Sequence, residues 1–274
     1  MTEPSRFQFT DSAVPRAYDD FLVPRLFEPW AKLLLDAARL QSGEAVLDVA
    51  TGPGTVARLA AQRLGPKGRV VGADISRPML DVARTKPALT DAAPIEYVES
   101  PAAPLKIPDG AFDVVLCQQG MQFFPDRSAA LREMRRALKP GGRLAIAVWS
   151  SIEQCPIYAA LHASLRDAVP RELADILLAP FSWGDSMDVA RTISGAGFRD
   201  VQTQTHRLPL TVENGVERAL RGCLAATPLA PGLAALPEEK RAALMDAARG
   251  HLGKLVAGSD VKGQMVSNIF LARA

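Results

Sequence analysis

Two carboxylates and two glycines stand where they can hold a ligand. Asp48 is the single polar residue of the apolar run VLDVA over residues 46–50, and Gly52 and Gly54 follow at once. A glycine lacks a Cβ, so a ligand can approach the backbone there. A helix opening at Thr55 would present N–H groups without intrahelical partners, which favour a negative group. A buried carboxylate needs donors, so Asp48 either pins the turn amides or meets an ammonium on the ligand. Asp74 lies near the end of the run RVVGADI over residues 69–75. At that place in a doubly wound sheet a carboxylate reaches the ribose of a nucleotide seated on the glycine turn. These features leave the cofactor open, because Gly52-x-Gly54-x-x-Ala57 also satisfies the dinucleotide fingerprint, and with it a nicotinamide-dependent oxidoreductase. Asp48 tilts the reading toward a cationic ligand, since it would repel a pyrophosphate.

Such residues must be positioned by alternating elements. Residues 46–50, 69–75, 95–98, 112–117 and 143–149 are apolar runs of strand length. Residues 55–64, 78–84 and 128–138 carry apolar side chains at helical spacing, and Lys139-Pro140-Gly141-Gly142 reads as a turn. Continuous apolar strands alternating with amphipathic helices predict a parallel sheet covered on both faces. Residues 14–40 predict helix, cut into short pieces by Pro15, Pro24 and Pro29. The second half predicts a helical block over 151–185, a helix over 187–196 and a strand over 201–208. A broken helical block over 213–257 and a last strand over 264–272 follow.

Composition bounds the function. Of 274 residues 48% are apolar and 23% charged, with a net charge of +2, as in an ordinary globular chain. That balance argues against a dedicated nucleic-acid binder. Cys117, Cys155 and Cys223 are far apart, with no CxxC pair and no Cys/His cluster, so neither a disulfide framework nor a zinc site is expected. No apolar run reaches the roughly 18 residues that span a bilayer, and Met1 to Thr10 hold no apolar segment of signal-peptide length. A soluble cytoplasmic protein without a membrane partner is expected, with a homodimer as the base-rate assembly.

Four stretches then carry a resemblance. VLDVATGPGTVA, VVGADISRPMLDVAR, PLKIPDGAFDVVLCQQGMQFFPD and LREMRRALKPGGRLAIAVW, in this order over residues 46–149, resemble the class I S-adenosylmethionine-dependent methyltransferases. The branch is the one typified by ubiquinone/menaquinone-biosynthesis methyltransferases. The resemblance implies a doubly wound, mostly parallel, seven-stranded α/β sheet with a helical lid, closed by an antiparallel edge strand. It divides the chain into an N-terminal helical cap (1–40), a cofactor-binding core (41–150), a lid insertion (151–185) and a core helix and strand (186–210). A second lid insertion (211–260) and the final strand (261–274) complete it.

The resemblance implies S-adenosylmethionine as cofactor. Asp48, Ala50, Thr51, Gly52 and Gly54 would surround its methionine end, Asp74 its ribose, and Ile75 and Met79 its adenine. Relatives usually read Gly-Asp-Ala where this chain has Ser100-Pro101-Ala102, so the adenine acid is missing. The backbone of Ala102, with Ala103, becomes the expected adenine contact. Ala50 replaces a usual glycine, read as a mild change. Gln118 and Phe123 would flank the sulfonium.

The implied reaction moves a methyl group to a small organic acceptor. The apolar lid residues Leu161, Leu165, Leu177, Leu178, Phe181 and Trp183 favour a hydrophobic one. His162, His206 and His251 read as surface or packing residues, so no catalytic base is assigned. Gln118, Gln119 and Gln122 could orient a substrate, with the loop surface as the alternative for Gln119 and Gln122; Tyr18 reads as either core or cofactor cover, and Cys155 and Cys223 as inert rather than the thiolates of an arsenic methyltransferase. Rivals are the nicotinamide oxidoreductase, a relative that binds the cofactor without methylating, and a protein or RNA methyltransferase, which the enclosed site disfavours.

Overall fold

The apolar runs of the first half become parallel strands because both faces of each are covered. The computed structural model describes residues 13–274; what was expected of residues 1–12 lies outside them. The strands are β1 Ala45–Val49, β2 Arg69–Asp74, β3 Ile95–Glu99, β4 Phe112–Gln118, β5 Leu138–Trp149, β6 Arg199–Val212, β7 Val256–Ala257 and β8 Asp260–Arg273. The helices are α1 Ala13–Ala17, α2 Glu28–Ala38, α3 Thr55–Leu64, α4 Arg77–Thr85, α5 Arg127–Ala137, α6 Pro156–Ala168, α7 Arg171–Ala174, α8 Ser186–Gly195, α9 Gly215–Ala225, α10 Ala230–Ala234 and α11 Glu238–Leu252. The sheet runs β3-β2-β1-β4-β5-β8-β6, with β7 paired to β8 off that path. The first five strands are mutually parallel, and β8 is antiparallel to both β5 and β6.

In β1 the pleat alternates the faces. Val46 packs with Leu34 and Leu35 of α2 and with Ala57 and Ala60 of α3. Leu47 and Val49 pack with Leu131 and Met134 of α5 and Ile193 of α8. A third core lies beneath the second-half helices, where Trp149 and Met265 meet Tyr158, Leu161, Leu177, Leu220, Leu244 and Leu252.

Four differences from expectation have physical causes. The prolines do not break residues 13–38. α1 passes into a π-helix, Tyr18–Phe27, that contains Pro24, and this passes into α2, with Pro29 in its first turn. Wider i→i+5 winding carries the chain through the proline instead of ending the helix. Lys139 to Gly142 form no separate turn but a bulge within β5, where pairing jumps from Phe112↔Leu138 to Val114↔Arg143 and Gly141 takes φ +75°. The last strand, β8, is antiparallel as expected but inserted between β5 and β6, so the edge is β6. The two-residue β7, which no apolar run announces, makes the sheet eight-stranded.

Candidate active site

The turn after β1 is held in left-handed backbone. Ala50 has φ +59°, Gly52 +55° and Gly54 +80°. At Ala50, a side chain bears a conformation that costs about 1–2 kcal/mol, so the replacement of a glycine here is not mild. Asp48 is buried, and its Oδ2 accepts from Thr51 Oγ1 at 2.6 Å and from the Ala57 amide at 3.1 Å. Asp74 accepts from the Gly52 amide at 2.8 Å on Oδ2 and from the Ser76 amide at 2.8 Å on Oδ1. The Thr51 amide donates to Ala73 O at 3.1 Å and the Gly54 amide to Thr51 O at 2.9 Å. These three turn amides are therefore taken by the chain itself, and the negative group at the start of α3 is Asp48, not a ligand anion. A Cβ on Gly52 would meet nothing within 4 Å, whereas one on Gly54 would fall 2.4 Å from the Tyr97 hydroxyl. The bare face open to a ligand is that of Gly52.

Burial governs both carboxylates. It pushes Asp48 up to about 7 against the pull of its Thr51 and Ala57 donors, and the neighbouring Asp74 charge adds to the rise. Burial also raises Asp74, moderated by the Ser76 and Gly52 amides. Asp48 Oδ1 and Tyr97 Oη, both buried, have no hydrogen-bond partner.

Beside the turn opens a cavity of about 690 Å³. Of the residues expected at the cofactor, Ala50, Gly52, Asp74, Ile75, Met79, Ala102, Ala103, Gln118 and Phe123 line it. Asp48, Thr51 and Gly54 lie behind the turn, outside the lining. The charged lining residues are Asp74 and Asp126, with no Lys, Arg or His among the described residues. The π-helix contributes Tyr18, Leu22, Leu26 and Phe27; Tyr18, Leu22 and Leu26 recur every four residues and Phe27 lies five after Leu22, spacings that i→i+5 winding turns to one side. Tyr18 stacks on Phe27 with centroids 4.6 Å apart, which sets it as cover over the cavity. Trp149 and Met265 form a floor, and Tyr158, Leu177, Phe181 and Leu229 a roof.

The lid list divides. Leu177 and Phe181 line the cavity, Leu161 and Leu165 fill the core behind it, and Trp183 packs in the other layer, donating to Asp188 at 2.8 Å. In the loop after β4, Met121 is core while Phe123 and Phe124 face the cavity. Gln119 and Gln122 are not surface residues but buried ones. Gln119 Nε2 donates to Ser267 Oγ at 2.9 Å, and Gln122 Nε2 to Gln119 Oε1 at 3.0 Å and to Pro180 O at 3.1 Å. This chain ties the loop after β4 to strand β8 and to the 3₁₀ segment Asp175–Phe181 in the roof. The glutamines of this segment give no sequence signal of such a tie, because their partners Ser267 and Pro180 come from distant segments. His162 meets Asp175 at 3.0 Å and His251 meets Asp167 at 2.8 Å; neither they nor His206 line the cavity.

The sheet order and the site at its glycine-turn end define a Rossmann-like methyltransferase fold. The same fold is found in phosphoethanolamine N-methyltransferase 2 of Haemonchus contortus, solved with S-adenosylmethionine. It superposes with a TM-score of 0.60 at 19% identity, covering 98% of this chain and 58% of that one. Within that class the chain belongs to the ubiE/COQ5 methyltransferase family, whose model matches residues 13–175. Demethylmenaquinone methyltransferase of Listeria monocytogenes is 40% identical over 121 residues, 44% of this chain and 51% of that protein. Ubiquinone/menaquinone biosynthesis C-methyltransferase UbiE of Hahella chejuensis is 36% identical over 144 residues, 50% of this chain and 57% of that protein. The chain thus spans about half the length of the curated relatives it matches. Among the described residues no helix is long and apolar enough to cross a membrane.

Proposed function

We propose that the chain transfers a methyl group from S-adenosylmethionine to a small, neutral, apolar acceptor. The observation that carries this reading is one continuous cavity joining the turn and Asp74 to an apolar chamber under the second-half helices. The residues fit the cofactor. Its ammonium and sulfonium suit a lining whose charges are two carboxylates. A pyrophosphate would meet the same carboxylates with no cation among the described lining residues, which disfavours the nicotinamide reading. Asp74 accepts the Gly52 amide on one oxygen and the Ser76 amide on the other, with the Ile75 amide also contributing, and its remaining lone-pair capacity suits a ribose hydroxyl. Ile75, 47% exposed beside it, offers bare apolar surface to an adenine. Gln118 Oε1 is buried without a partner, while its Nε2 is held by Phe27 O at 2.9 Å.

On this reading Ala50 and Gly52 flank the methionine end, with Asp48, Thr51 and Gly54 shaping the turn from behind. Met79 and the Ala102–Ala103 backbone border the adenine, and Gln118 and Phe123 border the sulfonium. When bound, the cofactor supplies a methyl group on a positively charged sulfur, which an in-line nucleophile displaces. The chain's part is to align the acceptor and exclude water, for which the roof and floor are apolar. No histidine reaches the cavity, so the acceptor atom must be nucleophilic without one. A cytoplasmic, small-molecule enzyme is the corresponding setting.

Incubation with S-adenosylmethionine and a panel of neutral naphthols and hydroquinones, followed by mass spectrometry, tests the proposal. Formation of S-adenosylhomocysteine together with a product heavier by one methylene is expected. Cofactor binding with no turnover on any acceptor would instead favour a relative that holds the cofactor without methylating.

A further inference from the structure

Almost every polar side chain lining the cavity is committed within the chain. Thr227 Oγ1 donates to Leu224 O at 2.7 Å, Ser100 Oγ to Pro101 O at 2.8 Å, and Gln118 Nε2 to Phe27 O at 2.9 Å. Gln119 is spent on Ser267 and Gln122. Two hydroxyls remain without a hydrogen bond among the described residues, those of Tyr18 and Tyr158. Their surroundings differ. Tyr18 lies within electrostatic reach of Asp74 as well as of Tyr158. Tyr158 is on α6 in the apolar chamber, its ring packed on Phe181 at 5.6 Å between centroids. The residue is 5% exposed, yet its oxygen is not among the sealed, unpartnered atoms. Tyr158 is among the residues that line the cavity. A free hydroxyl in an apolar chamber is costly unless a ligand completes it.

We infer that Tyr158 is the positioning residue for the acceptor, its hydroxyl donating to an oxygen that the acceptor carries on an otherwise apolar, uncharged body. The inference rests on the proposed methyl transfer and narrows it. With no cation among the described lining residues, an acceptor carboxylate or phosphate would be unpaired there; a carbonyl, ether or phenol oxygen is what the chamber recognises. Burial holds the phenol well above its ordinary range, so Tyr158 orients as a donor and does not abstract a proton. A tyrosine in an apolar helix gives no sequence signal of this role.

The test uses the full chain saturated with S-adenosylhomocysteine and two fluorescent probes. One is propionyl-dimethylaminonaphthalene, a neutral ketone whose emission moves to the red when its carbonyl accepts a hydrogen bond. The other is dimethylaminonaphthalene without the ketone. Tyr158→Phe keeps the ring and its packing. It is expected to bind the ketone about three- to tenfold more weakly, to shift its emission to the blue, and to leave the ketone-free probe unchanged. Unchanged ketone emission, equal weakening of both probes, no ketone binding to the unaltered protein, or a blue shift in Tyr18→Phe instead would each overturn the inference. Should calorimetry show no S-adenosylhomocysteine binding, the parent reading fails separately, and the same probes on the free protein still decide the role of Tyr158.

Discussion

Asp48 and Asp74 sit across one turn of backbone, and burial makes both costly to ionise. Between the ordinary Asp range near 3.8 and about 7, the folded chain holds a proton on Asp48 that the unfolded chain has released. This group's contribution to stability therefore falls as pH rises through that window. Asp48→Asn removes the loss, so guanidinium unfolding at pH 5 and pH 8 should show a smaller drop in the variant than in the unaltered protein; an equal drop would contradict the assignment. Asp74→Asn should keep the fold and weaken S-adenosylhomocysteine about tenfold or more in calorimetry, the scale of lost hydrogen bonds to a charged group. Ala50→Gly relieves the strain at φ +59° and should raise stability by about 1 kcal/mol in chemical denaturation. The positions of Asp48, Gly52 and Asp74 were legible because a lone acid in an apolar strand and a glycine after it are local signals. What each amide of the turn bonds to was not, because Asp74 reaches Gly52 from a different strand.

At the scale of elements, the loop after β4, the roof segment Asp175–Phe181 and strand β8 are joined by Gln122, Gln119 and Ser267. Gln122→Ala removes the donor to Pro180 O and leaves Gln119 Oε1 without its partner inside the protein. It should cost about 1–3 kcal/mol of stability and raise hydrogen exchange selectively over residues 175–181; uniform or absent change would show that the tie does not hold the roof. The alternation of parallel strands and helices over residues 45–149 was legible from hydrophobic periodicity, with ends within a residue or two for most elements. The bulge in β5 was not, since proline and two glycines signal a turn equally well. Nor was the place of β8: its sequence says strand, but insertion between β5 and β6 depends on pairing with β5, whose partner residues lie more than a hundred positions away. The π-helix escaped because proline in a helical pattern is read as a break, and only contacts from the rest of the molecule make the wider winding worthwhile.

For the whole molecule, two of the three cores contribute to the lining of one cavity, and its occupant should report on both. A ligand that binds only the folded chain adds stability by mass action, about 2.7 kcal/mol at a hundred times its dissociation constant. S-adenosylhomocysteine should accordingly raise the unfolding midpoint, and a neutral naphthyl ketone should raise it further if the apolar chamber is a second compartment of the same space. The formal charge of +2 and the lack of cations among the described lining residues together predict little retention on RNA. The most direct measurement is isothermal calorimetry of the full chain with S-adenosylmethionine and, separately, with a nicotinamide dinucleotide. One-to-one binding of the first, lost on Asp74→Asn, with none of the second, is the predicted result. Tight binding of the dinucleotide, or no binding of S-adenosylmethionine, would contradict the account.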